Sequence, residues 1–219
     1  MAGVKIRCVV LISGRGSNLS AILKATQSPD YPATIVGVVA NKAEAPGLQL
    51  ARDAGILTSV VPNDDYADRA SYDQALQVAV DAYQPDLVIL AGFMRILTPR
   101  FVTHFQNRMI NIHPSLLPSF TGLQTHQRAL DAGVRLHGCT VHFVTAELDH
   151  GPIIAQAAVP VLDDDNARTL AARVLAFEHQ LYPLAVRWFA EGRLHIEGAR
   201  VCIDGVADNK ASLIAPVLE

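Results

Sequence analysis

The feature that most constrains the fold of this chain is the alternation of short apolar runs with helical patterns. The runs cover residues 9–12, 35–40 and 87–91, and a fourth at 109–112 is interrupted only by Asn111. Strands that are apolar on both faces are typical of a parallel sheet covered by helices on each side. The sequence therefore predicts an α/β protein with a doubly wound, mostly parallel sheet.

The helical patterns indicate six helices. They are predicted over residues 18–27, 46–54, 69–83, 99–106, 124–132 and 166–190. The last of these has an apolar stripe in which residues recur at spacings of four and three. The stripe consists of Leu170, Val174, Phe177, Leu181, Leu184 and Trp188.

The pattern changes after residue 122. Segments 137–149 and 152–162 are strand-like and are predicted to form an antiparallel pair joined by a short turn at 149–152. Residues 195–205 suggest a closing hairpin. Because no repeat or flexible linker divides the chain, we expect a single domain over residues 1–205, followed by a tail at 206–219.

Composition limits the classes of partner. Half of the 219 residues are hydrophobic, 18% are charged, and the formal net charge is -3, which gives no general attraction to nucleic acid or to an anionic membrane. No apolar run has the length of a membrane span, and the start does not resemble a signal peptide. Cys8, Cys139 and Cys202 are far apart without CxxC spacing. These features predict a reduced, cytoplasmic protein.

A glycine turn, SGRGSN at residues 13–18, joins the first predicted strand to the first helix. Gly14 and Gly16 would let the backbone approach a ligand, and the amides that open the helix would face an anion. A dinucleotide fingerprint does not fit, because Leu19 occupies the third glycine position and no acid ends the second strand. The turn indicates either a site for a single phosphate, to which Asn18 contributes, or an ordinary tight connection.

Asn111 and His113 form the second candidate feature. Side chains two apart on a strand project from the same face, and Pro114 ends this strand at the edge where α/β sheets bind ligands. The loop at 116–120 is expected to leave room above the pair. An amide and an imidazolium can both donate to an oxygen that gains negative charge, and a histidine can move a proton near neutral pH. The alternative is a capped strand end with a structural histidine.

Two acidic residues are candidates for the same cleft. Asp149 lies in the turn at 149–152, and beside His113 its carboxylate would raise the pKa of the imidazole. Aspartate before a glycine turn is also common turn chemistry. Glu178 lies at the margin of the apolar stripe, where it could bond the hydroxyls of a sugar or remain an ordinary surface glutamate.

Other chemistries receive little support. The chain has no G-x-S-x-G elbow for a serine hydrolase, and Cys139 has the pattern of a core residue. A metal site would require His137, His142 and His150 to converge, but no HxxxH or CxxC spacing supports one. The sequence therefore predicts no metal.

Taken together, these segments resemble the glycinamide ribonucleotide formyltransferase family of folate-dependent enzymes, up to about residue 205. The resemblance is carried by ISGRGSNL, NKAEAPGL, LAGFMRILTP, NIHPSLLP, GCTVHFVTAELDHGPII and EHQLYP. It implies a Rossmann-like formyltransferase fold. It also implies transfer of the formyl group of 10-formyltetrahydrofolate to the amine of glycinamide ribonucleotide, a step of purine synthesis.

The resemblance further implies roles for individual residues. The catalytic positions would be Asn111, His113 and Asp149. The substrate phosphate and ribose would be held by Gly16, Ser17, Asn18 and Glu178. The folate would be held by Arg69, Met94, Arg95, Ile96, Leu97, Asn111, Thr145, Ala146, Glu147, Leu148 and Asp149. The expected partners are these small molecules, without nucleic acid or membrane, and the protein would be a monomer or homodimer.

Three rival functions remain. Formyltetrahydrofolate hydrolase shares the catalytic residues, and Ser119-Phe120 is reminiscent of it, but it usually carries an extra N-terminal domain and lacks the GSN turn. Methionyl-tRNA formyltransferase resembles this chain around the Asn-x-His strand but adds a C-terminal domain. A non-catalytic folate- or nucleotide-binding module would have Asp149 far from His113.

Overall fold

The structure, a computed structural model, describes residues 4–207 and 213–215. Its strands are β1 (Ile6–Ile12), β2 (Ala33–Ala40), β3 (Thr58–Val60), β4 (Leu87–Leu90), β5 (Met109–His113), β6 (Leu136–Phe143), β7 (Ile153–Pro160), β8 (Leu194–Glu197) and β9 (Arg200–Ile203). Its α-helices are α1 (Ser17–Thr26), α2 (Gly47–Asp53), α3 (Arg69–Asp81), α4 (Pro99–His104), α5 (Thr125–Asp131) and α6 (Ala167–Ala190).

The strands form one nine-stranded sheet in the order β3-β2-β1-β4-β5-β6-β7-β9-β8. The five strands from β3 to β5 are parallel, whereas β6 and β7 are antiparallel to their preceding neighbours. Strand β9 joins β7 in parallel, and β8 closes the edge antiparallel to β9. The predicted mostly parallel sheet with an antiparallel C-terminal extension is confirmed.

Helices cover both faces of this sheet. On one face, Leu19 of α1, Leu48 of α2 and Tyr182 of α6 pack into one buried apolar cluster. On the other face, Leu76 of α3 and Phe101 of α4 belong to a second cluster. The alternating side chains of the central strands are apolar because each face has its own helical layer. The doubly wound arrangement is therefore present.

Two strand predictions were wrong in detail. Strand β3 was not predicted, because three half-buried residues are too short to show a period. The segment after Phe143 was predicted as strand up to Asp149, but it is a loop. The last ladder pair between β5 and β6 joins Ile110 to Phe143, so the chain leaves the sheet near the start of β5.

The predicted stripe of α6 was also partly wrong. Leu170, Val174 and Trp188 are buried, but Phe177 and Leu184 are 41% and 40% exposed. The buried face instead includes Glu178 and the residues around Tyr182, because α6 packs against both α1 and the sheet. The predicted tail at 206–219 lies mostly outside the described residues, and the domain boundary at 205 stays a prediction. Within the described residues, no helix is both long and apolar enough to cross a bilayer.

Candidate active site

The carboxyl ends of β1, β4 and β5 lie side by side. Leu11 pairs with Leu90 across one ladder, and Leu90 pairs with Asn111 across the next. The glycine turn follows β1, while Asn111 and His113 lie on β5. Both features predicted from the sequence are therefore at one edge of the sheet, where open α/β sheets bind ligands.

The glycine turn is closely packed against the start of α2. Gly16 has a φ of 74°, and a Cβ atom at this position would lie 2.9 Å from the Cα of Gly47. The amide of Gly47 donates to the carbonyl of Gly14 at 3.0 Å. The N-cap residue of α1 is Gly16, which has no side chain to cap the helix, so the amides of Ser17 and Asn18 can serve an anion.

His113 and Asp149 meet at the end of β5. The Nδ1 atom of His113 lies 3.5 Å from Oδ1 of Asp149, and the two side chains are only 7% and 6% exposed. The other oxygen, Oδ2, accepts from the amide of Gly122 at 2.8 Å. Asp149 itself has a positive φ of 55°, in the left-handed region, within the loop that follows β6. This loop folds back over the strand and brings an acid to the imidazole.

The loop after Pro114 covers His113 instead of leaving room above it. The Nε2 atom of His113 lies 3.0 Å from the backbone carbonyl of Phe120. A carbonyl only accepts, so this nitrogen donates to it and the imidazole faces an acceptor on each side. The prediction that this loop leaves room above the pair was therefore wrong at His113, because backbone geometry after a proline is not readable from side-chain patterns.

Asn111 has a partner that sequence reasoning did not identify. Its Nδ2 atom lies 3.2 Å from Nε2 of His142, which is directly opposite on β6. The other ring nitrogen of His142 lies 2.8 Å from the carbonyl of Phe143. The only sequence signal for this contact was the alternation in β6, which places His142 on the same face as Thr140 and on the opposite face from Cys139.

Asn18 and Glu178, two of the residues predicted to bind the substrate phosphate and ribose, contact each other. The Nδ2 atom of Asn18 donates to Oε2 of Glu178 at 2.7 Å, and both residues are buried. Burial raises the pKa of the Glu178 carboxyl, while the bond from Asn18 opposes this effect. A ligand with both an anion and hydroxyl groups could therefore reach the start of α1 and this carboxylate at once.

The predicted folate contacts form two surface segments. Met94 and Ile96 are 64% and 52% exposed, and Leu148 in the second segment is 52% exposed. Arg95 is also exposed, as are Thr145, Ala146 and Glu147, whereas Leu97 is buried.

Arg69 is exposed at the first residue of α3. This helix contacts the first segment directly, because the guanidinium of Arg95 lies 5.5 Å from the ring centroid of Tyr72. Exposed apolar side chains such as Met94 and Ile96 are typical of interaction sites, and Arg95 adds a positive charge between them.

The histidines considered for a metal site do not converge. His137 contacts His126, with 3.2 Å between Nε2 and Nδ1, while His142 contacts Asn111. His150 instead lies 3.7 Å from a carboxylate oxygen of Glu147. Among the described residues, no group of three or more His, Cys, Asp or Glu is placed to hold a metal ion.

Comparison with known proteins identifies the class of this chain. Residues 6–186 match the family model described as formyl transferase, and the chain belongs to this family. Among curated relatives, it is 50% identical over 197 residues to phosphoribosylglycinamide formyltransferase of Escherichia coli, covering 90% of this chain and 93% of the relative. The enzyme of the same name from Haemophilus influenzae is 44% identical, over 92% of this chain and 95% of the relative.

Solved structures agree with the family. The chain superposes with a TM-score of 0.89 on glycinamide ribonucleotide transformylase 1 from Symbiobacterium toebii, at 51% identity over 91% of this chain and 94% of that chain. A formyltetrahydrofolate deformylase from Pseudomonas syringae has a TM-score of 0.86, but only 29% identity, over 92% of this chain and 67% of that chain. The transformylase and the deformylase thus share this fold, and the chain is more similar in sequence to the transformylase.

Proposed function

We propose that this chain transfers the formyl group of 10-formyltetrahydrofolate to the primary amine of glycinamide ribonucleotide, giving formylglycinamide ribonucleotide and tetrahydrofolate. The observation that carries the proposal is the contact between His113 and Asp149 at the end of β5, at the same sheet edge as the glycine turn. It is supported by the similarity to formyltransferases over nine-tenths of the chain.

The chemistry requires charge stabilisation at a small carbonyl. The amine nitrogen attacks the formyl carbon, and the carbonyl oxygen becomes an oxyanion that Asn111 and His113 can stabilise by donating hydrogen bonds. The new carbon–nitrogen bond remains, and the bond from the formyl carbon to N10 of the folate breaks. The amine loses a proton and N10 gains one. His113 and Asp149 are the groups proposed to move this proton, through water where the distance requires it.

The proposed binding residues divide between the two substrates. Gly16, Ser17 and Asn18 would hold the phosphate of the ribonucleotide, and Glu178 would accept from its ribose hydroxyls. The exposed segments at 94–97 and 145–149, together with Arg69, would hold the folate. The fit of the folate is supported by the apolar exposure of Met94, Ile96 and Leu148 at these segments.

Access to His113 requires movement of the covering loop. The carbonyl of Phe120 occupies the Nε2 side of the imidazole, and a formyl oxygen must take its place as acceptor. We therefore include displacement of this carbonyl in the proposed reaction. The exchange of one acceptor for another keeps the nitrogen hydrogen-bonded throughout.

Formyltetrahydrofolate hydrolysis is the alternative, in which water replaces the amine. Two observations favour the transferase. The chain is less similar to the deformylase than to the formyltransferase of Escherichia coli, and it has the glycine turn. The deciding experiment incubates the protein with 10-formyltetrahydrofolate, with and without glycinamide ribonucleotide. Folate release only with the ribonucleotide supports transfer, whereas equal release without it supports the hydrolase. No release in either case contradicts both activities.

We further propose that the protein works in the cytoplasm on small molecules, without nucleic acid or a membrane, and as a monomer or homodimer. Light scattering after size exclusion measures the mass of the particle. A larger assembly, or co-purification with nucleic acid, would contradict this proposal.

A further inference from the structure

The starting observation is the hydrogen bonding of His142, a residue with no role in the reaction described above. Its side chain lies in β6, and the residue is only 2% exposed. Its Nδ1 atom lies 2.8 Å from the carbonyl oxygen of Phe143. Because a carbonyl oxygen has no proton to give, Nδ1 must carry the hydrogen of this bond.

The protonation of Nδ1 determines what Nε2 can do. In a neutral imidazole only one nitrogen is protonated, so Nε2 is then an acceptor. It lies 3.2 Å from Nδ2 of Asn111, which must therefore donate. The bond joins residues that face each other in the β5–β6 ladder, so the two side chains are held by the register of the sheet.

The surroundings of His142 favour this neutral form. Desolvation lowers the pKa of the imidazole, and the nearby charge of His113 acts in the same direction. The carbonyl of Phe143 and the carboxylate of Asp149 act in the opposite direction, but burial is the largest cause.

We propose that His142 is a positioning residue, which fixes the rotation of the Asn111 amide so that a nitrogen, and not an oxygen, is available to the formyl group. The inference rests on the proposed function, since it assigns Asn111 to the oxyanion. One hydrogen of Nδ2 is taken by His142, and the second remains for the substrate. Without the Nε2 acceptor of His142, the side-chain amide of Asn111 can rotate by half a turn. It would then present its oxygen, and not its nitrogen, to the developing negative charge.

The first experiment removes the acceptor and then restores it. His142→Phe keeps a flat ring, and we expect kcat for formyl transfer to fall about 10- to 100-fold, the scale of a misplaced catalytic group. The dissociation constant for glycinamide ribonucleotide should not change, because its proposed contacts lie on α1 and α6. His142→Gln supplies an oxygen acceptor and should recover much of the loss. His104→Gln, at an exposed histidine of α4, is the matched control and should leave kcat unchanged.

A double-mutant cycle tests whether His142 acts through Asn111. In an Asn111→Ala background, His142→Phe should change kcat by less than about twofold, because the group that it positions is already gone. An equal loss in both backgrounds would overturn the proposal and leave a general structural role. A wild-type rate in the single variant His142→Phe would overturn it as well.

The unmodified protein provides a measurement that does not depend on the folding of variants. Nitrogen-15 NMR of protein labelled at histidine reports which ring nitrogen carries the proton. We expect His142 to be neutral with hydrogen on Nδ1 near pH 7.5, and a dominant Nε2–H form would overturn the assignment. Full activity in Asn111→Ala would contradict the proposed function of the site. Full activity in His142→Phe, together with lost activity in Asn111→Ala, would contradict this inference alone.

Discussion

His113 and Asp149 form a buried pair at 3.5 Å between a strand end and the loop that follows the next strand. The same carboxylate accepts from the amide of Gly122, so it also holds the segment that covers the imidazole. We propose that Asp149 combines an electrostatic role beside the ring with a structural role in the covering loop. Substitutions can separate these two roles.

Asp149→Asn should separate them, because an amide oxygen can still accept from Gly122 while the negative charge is lost. We expect formyl transfer to slow about 10²- to 10⁴-fold, the usual range for proton-transfer catalysis, with little change in thermal stability. Steady-state assays and thermal unfolding measure the two effects. Asp131→Asn, at an exposed position of α5, is the control, and transfer at the wild-type rate by Asp149→Asn would contradict the assigned role.

Glu178→Gln should mainly weaken the binding of glycinamide ribonucleotide. A glutamine oxygen can still accept from Asn18, so the contact between α1 and α6 is kept, but hydrogen bonds from ribose to a charged acceptor are lost. Such bonds contribute about 1.5–3 kcal/mol, which corresponds to roughly 10- to 150-fold in affinity. Calorimetric titration checks this value. Folate affinity serves as the internal control, and an unchanged dissociation constant for the ribonucleotide would remove Glu178 from the site.

Gly16→Ala should weaken ribonucleotide binding and destabilise the fold. The added Cβ would lie 2.9 Å from the backbone of Gly47, and the positive φ of 74° already disfavours a side chain. The strain is of order 1–3 kcal/mol. Gly55→Ala is the matched control, since Gly55 has a φ of 72° with no atom within 4 Å of an added Cβ. Only the Gly16 variant should lose affinity for the ribonucleotide; equal affinities in the two variants would refute the proposed phosphate turn.

Acid should destabilise the protein through His137. Burial, assisted by the nearby charge of His126, lowers the pKa of His137 to about 4, below its ordinary value of 6.5. The unfolded chain therefore binds more protons than the folded chain between these values, and stability must fall as pH falls from 6.5 towards 4. Urea unfolding at pH 7.5 and pH 5 measures the difference. His137→Gln should make it smaller, whereas His195→Gln, on an exposed hairpin, should not; an unchanged difference in His137→Gln would contradict the prediction.

Arg69→Ala should weaken folate binding by a modest factor. An exposed ion pair contributes about 0.2–1 kcal/mol, or up to roughly fivefold in affinity, and salt screens it. The loss should therefore be larger at low ionic strength. Fluorescence titration of a reduced folate at two salt concentrations measures it, with Arg52→Ala on α2 as the control. Folate affinity that is the same in both variants would count against this contact.

The sequence predicted four of the five strands in the parallel part of the sheet, because β1, β2, β4 and β5 are buried on both faces and their apolar runs show this directly. The glycine turn was also readable, since its geometry depends on missing side chains. The turn at 149–152 made Asp149 a candidate for the cleft, but its spacing could not show that it meets His113, and the resemblance implied that pairing. This contact is made by a loop that leaves the sheet near the start of β5 and returns to the end of that strand, so it depends on where β5 begins.

Other parts of the site depend on contacts that no local pattern records. The partnership of Asn111 with His142 requires the register of two antiparallel strands, and a shift of one residue would turn His142 away. The carbonyl of Phe120 carries no side-chain signature at all. The error at Phe177 arose because a helical period cannot show which neighbour α6 faces, and the actual neighbours bury Glu178 instead.

The reversal of direction between β5 and β6 has a consequence for the length of the connection that follows. A strand running parallel to β5 would have delivered its next residues to the ligand-binding edge at once. Strand β6 runs the other way, so the chain emerges at the far end, and residues 144–148 must cover the distance back to the imidazole. The path of these five residues therefore sets where the Asp149 carboxylate lies relative to His113.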